Sequence, residues 1–421
     1  MKKKDSVKEL LDKEFFSKFI GNDGKTIGVE IELPIVNLKG KNIKMANIQK
    51  LFNLFINKKD FKIEKKDNEN NIIAIKNKKY RDILSLEYSV NTLEFSLEED
   101  INIYNIKNRF DKYLNDVQKF LSQFGYELLG SGINPNYRDI DKKCLNDNRY
   151  IIIEKLLLNN NNTPILFNQF CAYICSTQTH LTPNINNLVE TLNTFSNIEW
   201  VKSILYSNSY VEELDSPLSR DYLWQKSSFG ESNTGTNVEY KDLNDLIQNY
   251  KTRLLNYIER NNEYFIIDTV TLEDYFKHSK IRGINHKNEL KLFSPNLNDI
   301  HTFRSYKNVE VTRKGTIEIR CDCTQRLDNI FEIVAFNVGV FEMREKIDKL
   351  ISKYNFDNSS QNNREQKIRC MKINQKEEEF IIQLINLVCL GLKERGNGEE
   401  KLLRKINEMR EKNEKGWSMV L

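Results

Sequence analysis

The chain has 421 residues, 39% hydrophobic and 29% charged, with 64 basic and 60 acidic side chains and a formal net charge of +4. That balance argues against a nucleic-acid binder, and the absence of any apolar run of roughly 18 residues argues against a membrane-spanning helix. The seven cysteines are odd in number and form no CxxC pair, which predicts reduced thiols and a cytoplasmic location.

The N-terminus, "MKKKDSVKELLDKEFF", starts basic but has no apolar core, so no export signal is expected. Residues 26–36 read as a strand. Ile27, Val29, Ile31, Leu33 and Ile35 alternate on one face, with Gly28, Glu30, Glu32 and Pro34 on the other. Strands disfavour Glu, and two like charges side by side repel, so that face needs positive charge. Residues 83–97 read as a second strand whose parity flips. Leu86, Tyr88 and Val90 are apolar at even positions, and Leu93, Phe95 and Leu97 at odd ones, which predicts a bulge or tight turn near Asn91 and Thr92. Past that correction, Glu87 and Glu94 share a polar face.

A helix is expected from Ile103, with Ile106, Phe110, Leu114, Val117, Leu121 and Phe124 at helical spacing and Gly125 closing it. Residues 169–181 read as a strand with Ser176, Gln178 and His180 on one face, and 185–206 as a helix. The stretch "LYSNSYVEELDSPLSRDYLWQKSSFGESNTG" reads as a long ordered loop carrying Arg220 and Trp224. It is either a surface loop with a buried Trp anchor or a functional loop whose arginine fork clamps a carboxylate. Residues 308–323 read as two short strands around "RKG". The second sets Thr316, Glu318, Arg320 and Asp322 on one face against Ile317, Ile319 and Cys321. A helix is expected over 328–352. No repeat or long linker is visible. The expectation is one compact domain over 1–352 and a helical part over 353–421 packed on it, beginning at the polar break "NFDNSSQNNREQ".

Several strands are thus polar on one face only, as in an antiparallel sheet with helices on its apolar face and a wet or ligand-filled other face. The inventory is Glu30, Glu32, Glu87, Glu94 and Glu318 with His180 and Arg320. For any single pair of these, the solvated face of an amphipathic strand suffices. Recurrence of Glu on four strands favours a shared site instead, where Mg²⁺ or Mn²⁺ and phosphate oxygens neutralise the carboxylates.

Taken in order, "GVEIEL", "LEYSVNTLEFS", "GSGINPNYR", "NRY", "STQTHL", "YSNSY…SPLSRDYLW…NTG", "YFIIDTVTLEDYF" and "HTFRSYKNVEVTRKGTIEIRCD" resemble the glutamate–cysteine ligase family, closest to its plant and bacterial form. The resemblance runs from about residue 26 to 345, and rests on the ordered set, particularly Arg220 with Trp224 and the spacing of His301, Arg313, Glu318 and Arg320. It implies an α+β fold: a curved antiparallel sheet forming a funnel flanked by helices, like the catalytic half of glutamine synthetase. It also implies ATP and two or three Mg²⁺ ions, with Mn²⁺ an alternative. Glu30, Glu32, Glu87, Glu94, His180 and Glu318 fall where the family places metal ligands. Arg220 falls at an arginine that contacts glutamate, with Gln178, Asn208 and Trp224 on the substrate side. Arg320, with Glu318, falls at the transferred phosphoryl group, and Arg313 and Asn233 near the nucleotide.

The implied activity is ADP-forming ligation of glutamate to cysteine or another amine. The other readings are a related ligase of a specialised-metabolite pathway with a different acid and amine, and a catalytically silent binding homologue. Three departures from the family's pattern bear on the acceptor pocket. "SNSYV" at 207–211 lacks the family's proline, "NTG" replaces "RTG", and the glycine pair after Glu87 is absent.

Overall fold

The computed structural model describes residues 3–37, 39, 42–158, 165–356, 367–369 and 373–408. It is a mixed helix and sheet structure. Its strands are β1 Ile27–Val36, β2 Phe61–Lys66, β3 Ile72–Asn77, β4 Ile83–Leu86, β5 Thr92–Asp100, β6 Glu127–Leu128, β7 Thr177–Leu181 and β8 Thr234–Gly235. They continue as β9 Leu254–Arg260, β10 Glu263–Thr271, β11 Ile281–Ile284, β12 Leu290–Phe293, β13 Tyr306–Lys307, β14 Val309–Val311 and β15 Ile317–Ile319. A nine-stranded sheet runs β14-β15-β7-β1-β5-β4-β3-β2, with β6 also on β1. Every pairing in it is antiparallel. A separate four-stranded sheet runs β12-β11-β10-β9. Among the described residues no helix is long and apolar enough to cross a membrane.

Strand β1 sits mid-sheet because its odd positions are uniformly apolar. Ile27, Val29, Ile31, Leu33 and Ile35 are all buried. The helix Ile103–Leu121 closes that face. Asn102 caps it, accepting from the Tyr104 N–H at 2.8 Å. Its Phe110 meets Phe95 of β5 edge-on at 5.1 Å and Phe331 at 5.6 Å. Gly125 ends the segment at φ 76°, as a left-handed terminator should.

Several expected elements are shorter or broken. The 83–97 strand is two strands, β4 and β5, and the parity flip is the tight turn between them, with Leu86 opposite Leu93. Of 169–181 only β7 is strand. Phe170–Ala172 is a single helical turn, because Phe170 turns inward onto Trp224, 5.0 Å between rings. The 185–206 helix breaks at Ile198 into Leu188–Asn197 and Glu199–Tyr206, and the 328–352 helix is Glu332–Glu342 followed by Arg344–Tyr354. The long loop contains a helix, Ser219–Gln225, which carries Arg220 and Trp224.

The helix Gln375–Glu394 packs on Glu332–Glu342 through two glycines. A Cβ on Gly339 would stand 2.6 Å from the Val388 carbonyl, and one on Gly391 would stand 2.9 Å from the Gly339 carbonyl. Gly339→Ala therefore forces two backbones apart. It is expected to lower stability by about 1–3 kcal/mol, measured by denaturant titration. An unchanged midpoint would contradict this packing. Of the expected C-terminal part, residues 357–366, 370–372 and 409–421 lie outside the described residues.

Candidate active site

Neighbouring strands bring the polar faces together. Across β15, β7 and β1, Glu318 pairs with His180, His180 with Gly28, and Gln178 with Glu30. Across β1 and β5, Glu32 stands directly opposite Glu94. Gly28 gives His180 room, since a Cβ there would lie 3.2 Å from the His180 Cβ. The His180 ring is oriented by Nδ1, 3.2 Å from Thr316 Oγ1. That leaves Nε2 facing Glu30 Oε1 at 3.5 Å. One ligand atom each from Glu30, His180 and Glu318 lie within 4.8 Å of one another. Glu87, in the β4–β5 turn, accepts from the Tyr150 hydroxyl at 2.9 Å.

The electrostatics show a cluster short of positive charge. Burial pushes the Glu94 carboxyl well above its usual range, and the charges of Glu87, Glu30 and Glu32 add to it. Burial and then Glu87 push Glu32 up to about 7. This holds although Glu32 accepts from the Ser176 N–H at 2.7 Å, its hydroxyl at 3.0 Å and Gln178 Nε2 at 3.0 Å. At Glu30 burial also raises the pKa, but His180, Lys314 and Arg320 outweigh it and hold the carboxyl at about 2. Burial works against a protonated His180, yet Glu30 and Glu318 raise its pKa. Hard oxygen donors with one imidazole and surplus negative charge fit Mg²⁺ or Mn²⁺. Glu94→Gln removes a carboxyl that burial and its acidic neighbours make costly to ionise in the fold, so the metal-free variant should melt above wild type at neutral pH. Added Mg²⁺ should narrow the gap. A lower melting temperature for the variant would contradict the crowding.

These side chains line a cavity of about 370 Å³, together with Arg149, Arg304, Tyr306, Glu310, Arg313, Lys314 and Arg320. Arg320 is ion-paired to Glu318 and lies over the Tyr306 ring, 5.5 Å from its centroid. A smaller annex of about 80 Å³ adjoins it, sharing Glu32, Glu87, Arg149, Tyr306 and Arg320. Its other walls include Tyr88, Cys171, Arg220, Trp224 and Phe229. Arg220 is 4% exposed, and the Nε atoms of Arg220 and Arg149 and the Trp224 Nε1 are buried without a hydrogen-bond partner. Three arginines, Arg149, Arg220 and Arg320, on the wall of one small cavity suit an anionic ligand.

Trp224 is only partly buried, stacked 4.8 Å from Tyr306 at 17°. Trp224→Ala should therefore cost about 2–3 kcal/mol, less than the roughly 3–5 kcal/mol of a fully buried aromatic. Chemical denaturation measures this, and a loss under about 1 kcal/mol would mean the stack is not structural.

Of the other expected residues, Arg313 and Gln178 line the cavity. Asn208 does not. Its amide donates to the Gly130 and Thr324 carbonyls at 3.3 and 2.8 Å. Asn233 is likewise turned inward, exchanging hydrogen bonds with the backbone of Leu254 at 2.8 and 2.9 Å. Asp322 falls on the opposite face, bound to Lys202 at 2.8 Å and to the Asn337 amide at 2.8 Å. The alternation stops there because β15 ends at Ile319. The "SNSYV" segment borders neither cavity.

Arg149, Tyr150 and Glu310 are additions. Arg149 opens the helix Asn148–Leu158, where a cation opposes the helix dipole, and that misplaced charge is the signal. Glu310 faces Glu318 across β14 and β15 and is held by Arg253 at 2.7 Å and by the Tyr250 hydroxyl. "NVEV" shows the same single-Glu alternation as β1.

No family model matches the chain, and no curated relative matches it in sequence. Among solved structures, a glutamate–cysteine ligase from Francisella tularensis in complex with AMP is similar with a TM-score of 0.45 and 10% identity, covering 92% of this chain and 83% of that one. A bifunctional glutathione synthetase from Pasteurella multocida is similar with a TM-score of 0.48 and 8% identity, covering 96% of this chain and 50% of that one.

Proposed function

We propose that the chain is an ATP- and Mg²⁺-dependent carboxylate–amine ligase that activates the γ-carboxylate of glutamate and joins it to the amine of cysteine or a related amino acid. In this reading residues 1–352 form the catalytic part, with the polar sheet face as the wall of a funnel of the glutamine-synthetase type, and 353–421 complete it. The observation that carries the reading is the meeting, around one cavity, of five glutamates and His180 with Arg149 on the shared wall and Arg220 in the adjoining annex.

Phosphoryl transfer needs positioning and neutralisation of charge more than a nucleophile. Glu30, Glu32, Glu87, Glu94, His180 and Glu318 would hold the divalent ions, which neutralise the triphosphate when bound. Arg220 binds the free carboxylate of the acid in the annex. The reacting carboxylate then points toward Arg149 and Arg320, where annex and cavity join. Arg320 stabilises the phosphoryl group in transit. The carboxylate oxygen attacks the γ-phosphorus and ADP leaves. The amine then attacks the acyl carbon, phosphate leaves and an amide remains. Arg304 and Arg313 on the cavity wall serve the nucleotide end.

A different acid–amine pair is the second reading, favoured by the Tyr88 wall where the family has its glycine pair. The test is incubation with ATP, Mg²⁺, glutamate and a panel of amines, with products weighed by mass spectrometry. A γ-glutamyl amide with ADP supports the proposal. A product from another acid moves the assignment to the second reading, and no ATP-dependent product with any acid and amine contradicts both.

A further inference from the structure

The two larger sheets end in four edge strands, and among the described residues three of them are guarded. An open edge invites another strand, and proteins blunt it with lysines, burial or cover. On β2, Lys62, Lys65 and Lys66 are exposed. Strand β14 is three buried residues packed by the helix Leu188–Asn197. Strand β9 lies against the turn Leu297–Thr302, and its Tyr257 carbonyl accepts from the Thr302 hydroxyl at 3.0 Å.

Strand β12 has no such guard. It closes the four-stranded sheet, and Leu290 and Leu292 on it are 52% and 64% exposed. The same two residues carry the open backbone groups. The Asn285 N–H donates to the Glu289 carbonyl at 3.2 Å, so the pairs that bond across β11 and β12 fall on the odd positions of β12. The N–H and C=O of Leu290 and Leu292 therefore point away from the sheet. Lys291 and Phe293 take the face opposite the leucines, both against the Phe265 ring, at 5.1 and 4.6 Å.

We propose that β12 pairs antiparallel with β12 of a second copy of this chain, about a two-fold axis through Leu290. The pairing joins two four-stranded sheets into one and uses up both edges, so it closes as a dimer. Charge fixes the register. An axis at Lys291 would set that lysine against its own copy, and an axis at Leu292 would pair no charges. An axis at Leu290 sets Glu289 opposite the partner's Lys291, and by symmetry does so twice. The two Leu290 residues then exchange both backbone hydrogen bonds. A strand of four residues is far short of the roughly 20–30 residues a side of a standard interface, so the dimer is reversible and forms as concentration rises. The strand borders neither the cavity nor the annex, and the inference stands apart from the ligase reading.

Sedimentation equilibrium of the full chain at low salt, over a range of concentrations, measures the association. Wild type is expected to pass from monomer to dimer. Lys291→Glu should raise the dissociation constant at least about tenfold, because two opposite-charge pairs become like-charge pairs. Adding Glu289→Lys to that variant should restore the dimer. Leu290→Lys should abolish it by setting two lysines on the axis. Its melting temperature, taken at a concentration where wild type is monomeric, should be unchanged, since the leucine is already half exposed. A wild type that stays monomeric at every concentration would overturn the proposal. So would a dimer that Leu290→Lys and Lys291→Glu leave unchanged.

Discussion

Replacing Glu318 by Gln is expected to lower kcat by about a hundredfold to a thousandfold while the protein stays folded. A metal-held charge at a phosphoryl-transfer site is worth several kcal/mol, and each 1.4 kcal/mol or so is tenfold in rate. The Glu318 carboxylate lies with Glu30 and His180 in the three-residue cluster, and it pairs with Arg320, so under the proposed function it would fix both an ion and the arginine at the transferred group. Gln keeps the shape and removes the charge. The fold should not suffer, because the side chain points into the cavity while Ile317 and Ile319 on the other face are fully buried. Steady-state kinetics over a Mg²⁺ titration, with a melting curve, decide the matter. A variant that keeps wild-type kcat, or one that loses activity only by unfolding, would contradict this role.

Arg220→Lys is expected to raise the KM for glutamate about 10- to 100-fold with a smaller change in kcat. Lys keeps the charge but presents one point of contact in place of a planar fork, and hydrogen bonds between charged groups are worth about 1.5–3 kcal/mol. The helix Ser219–Gln225 holds Arg220 rigidly: the Arg220 N–H donates to Ser209 Oγ at 3.3 Å, and the Ser219 hydroxyl donates to the Ser216 carbonyl at 2.7 Å. The backbone of Arg220 is therefore anchored, and its side chain is buried. An unchanged KM would mean that the annex does not receive the carboxylate.

The part of the site legible in the sequence is the part that follows from alternation along a strand. Glu30 and Glu32 between buried Ile and Leu residues, Gln178 and His180 on β7, and Glu318 after the "RKG" turn all depend on a period of two, and they share the cavity. Side chains set by longer-range contacts were not legible. Asp322 lies past the end of β15, where alternation no longer applies. Asn208 and Asn233 sit in a segment rich in polar residues, and nothing local shows that their amides serve backbone groups far along the chain. The breaks at Ile198 and Met343 carry neither Pro nor Gly, so no local signal marks them. Strands β2 and β3, "FKIEKK" and "IIAIKN", have no clean two-faced pattern, because β2 is an exposed edge and β3 is nearly all buried. The γ-turn at Tyr88 was visible only as a parity flip, though the missing glycine pair marked the place.

The chemistry proposed for this cavity is activation of a carboxylate by phosphorylation. The direct measurement follows heavy oxygen from the carboxylates of labelled glutamate during turnover with ATP, Mg²⁺ and an accepting amine. Transfer of a single carboxylate oxygen per turnover into the released phosphate, with ADP as the nucleotide product, is the predicted result. Unlabelled phosphate, or AMP with pyrophosphate, would contradict it.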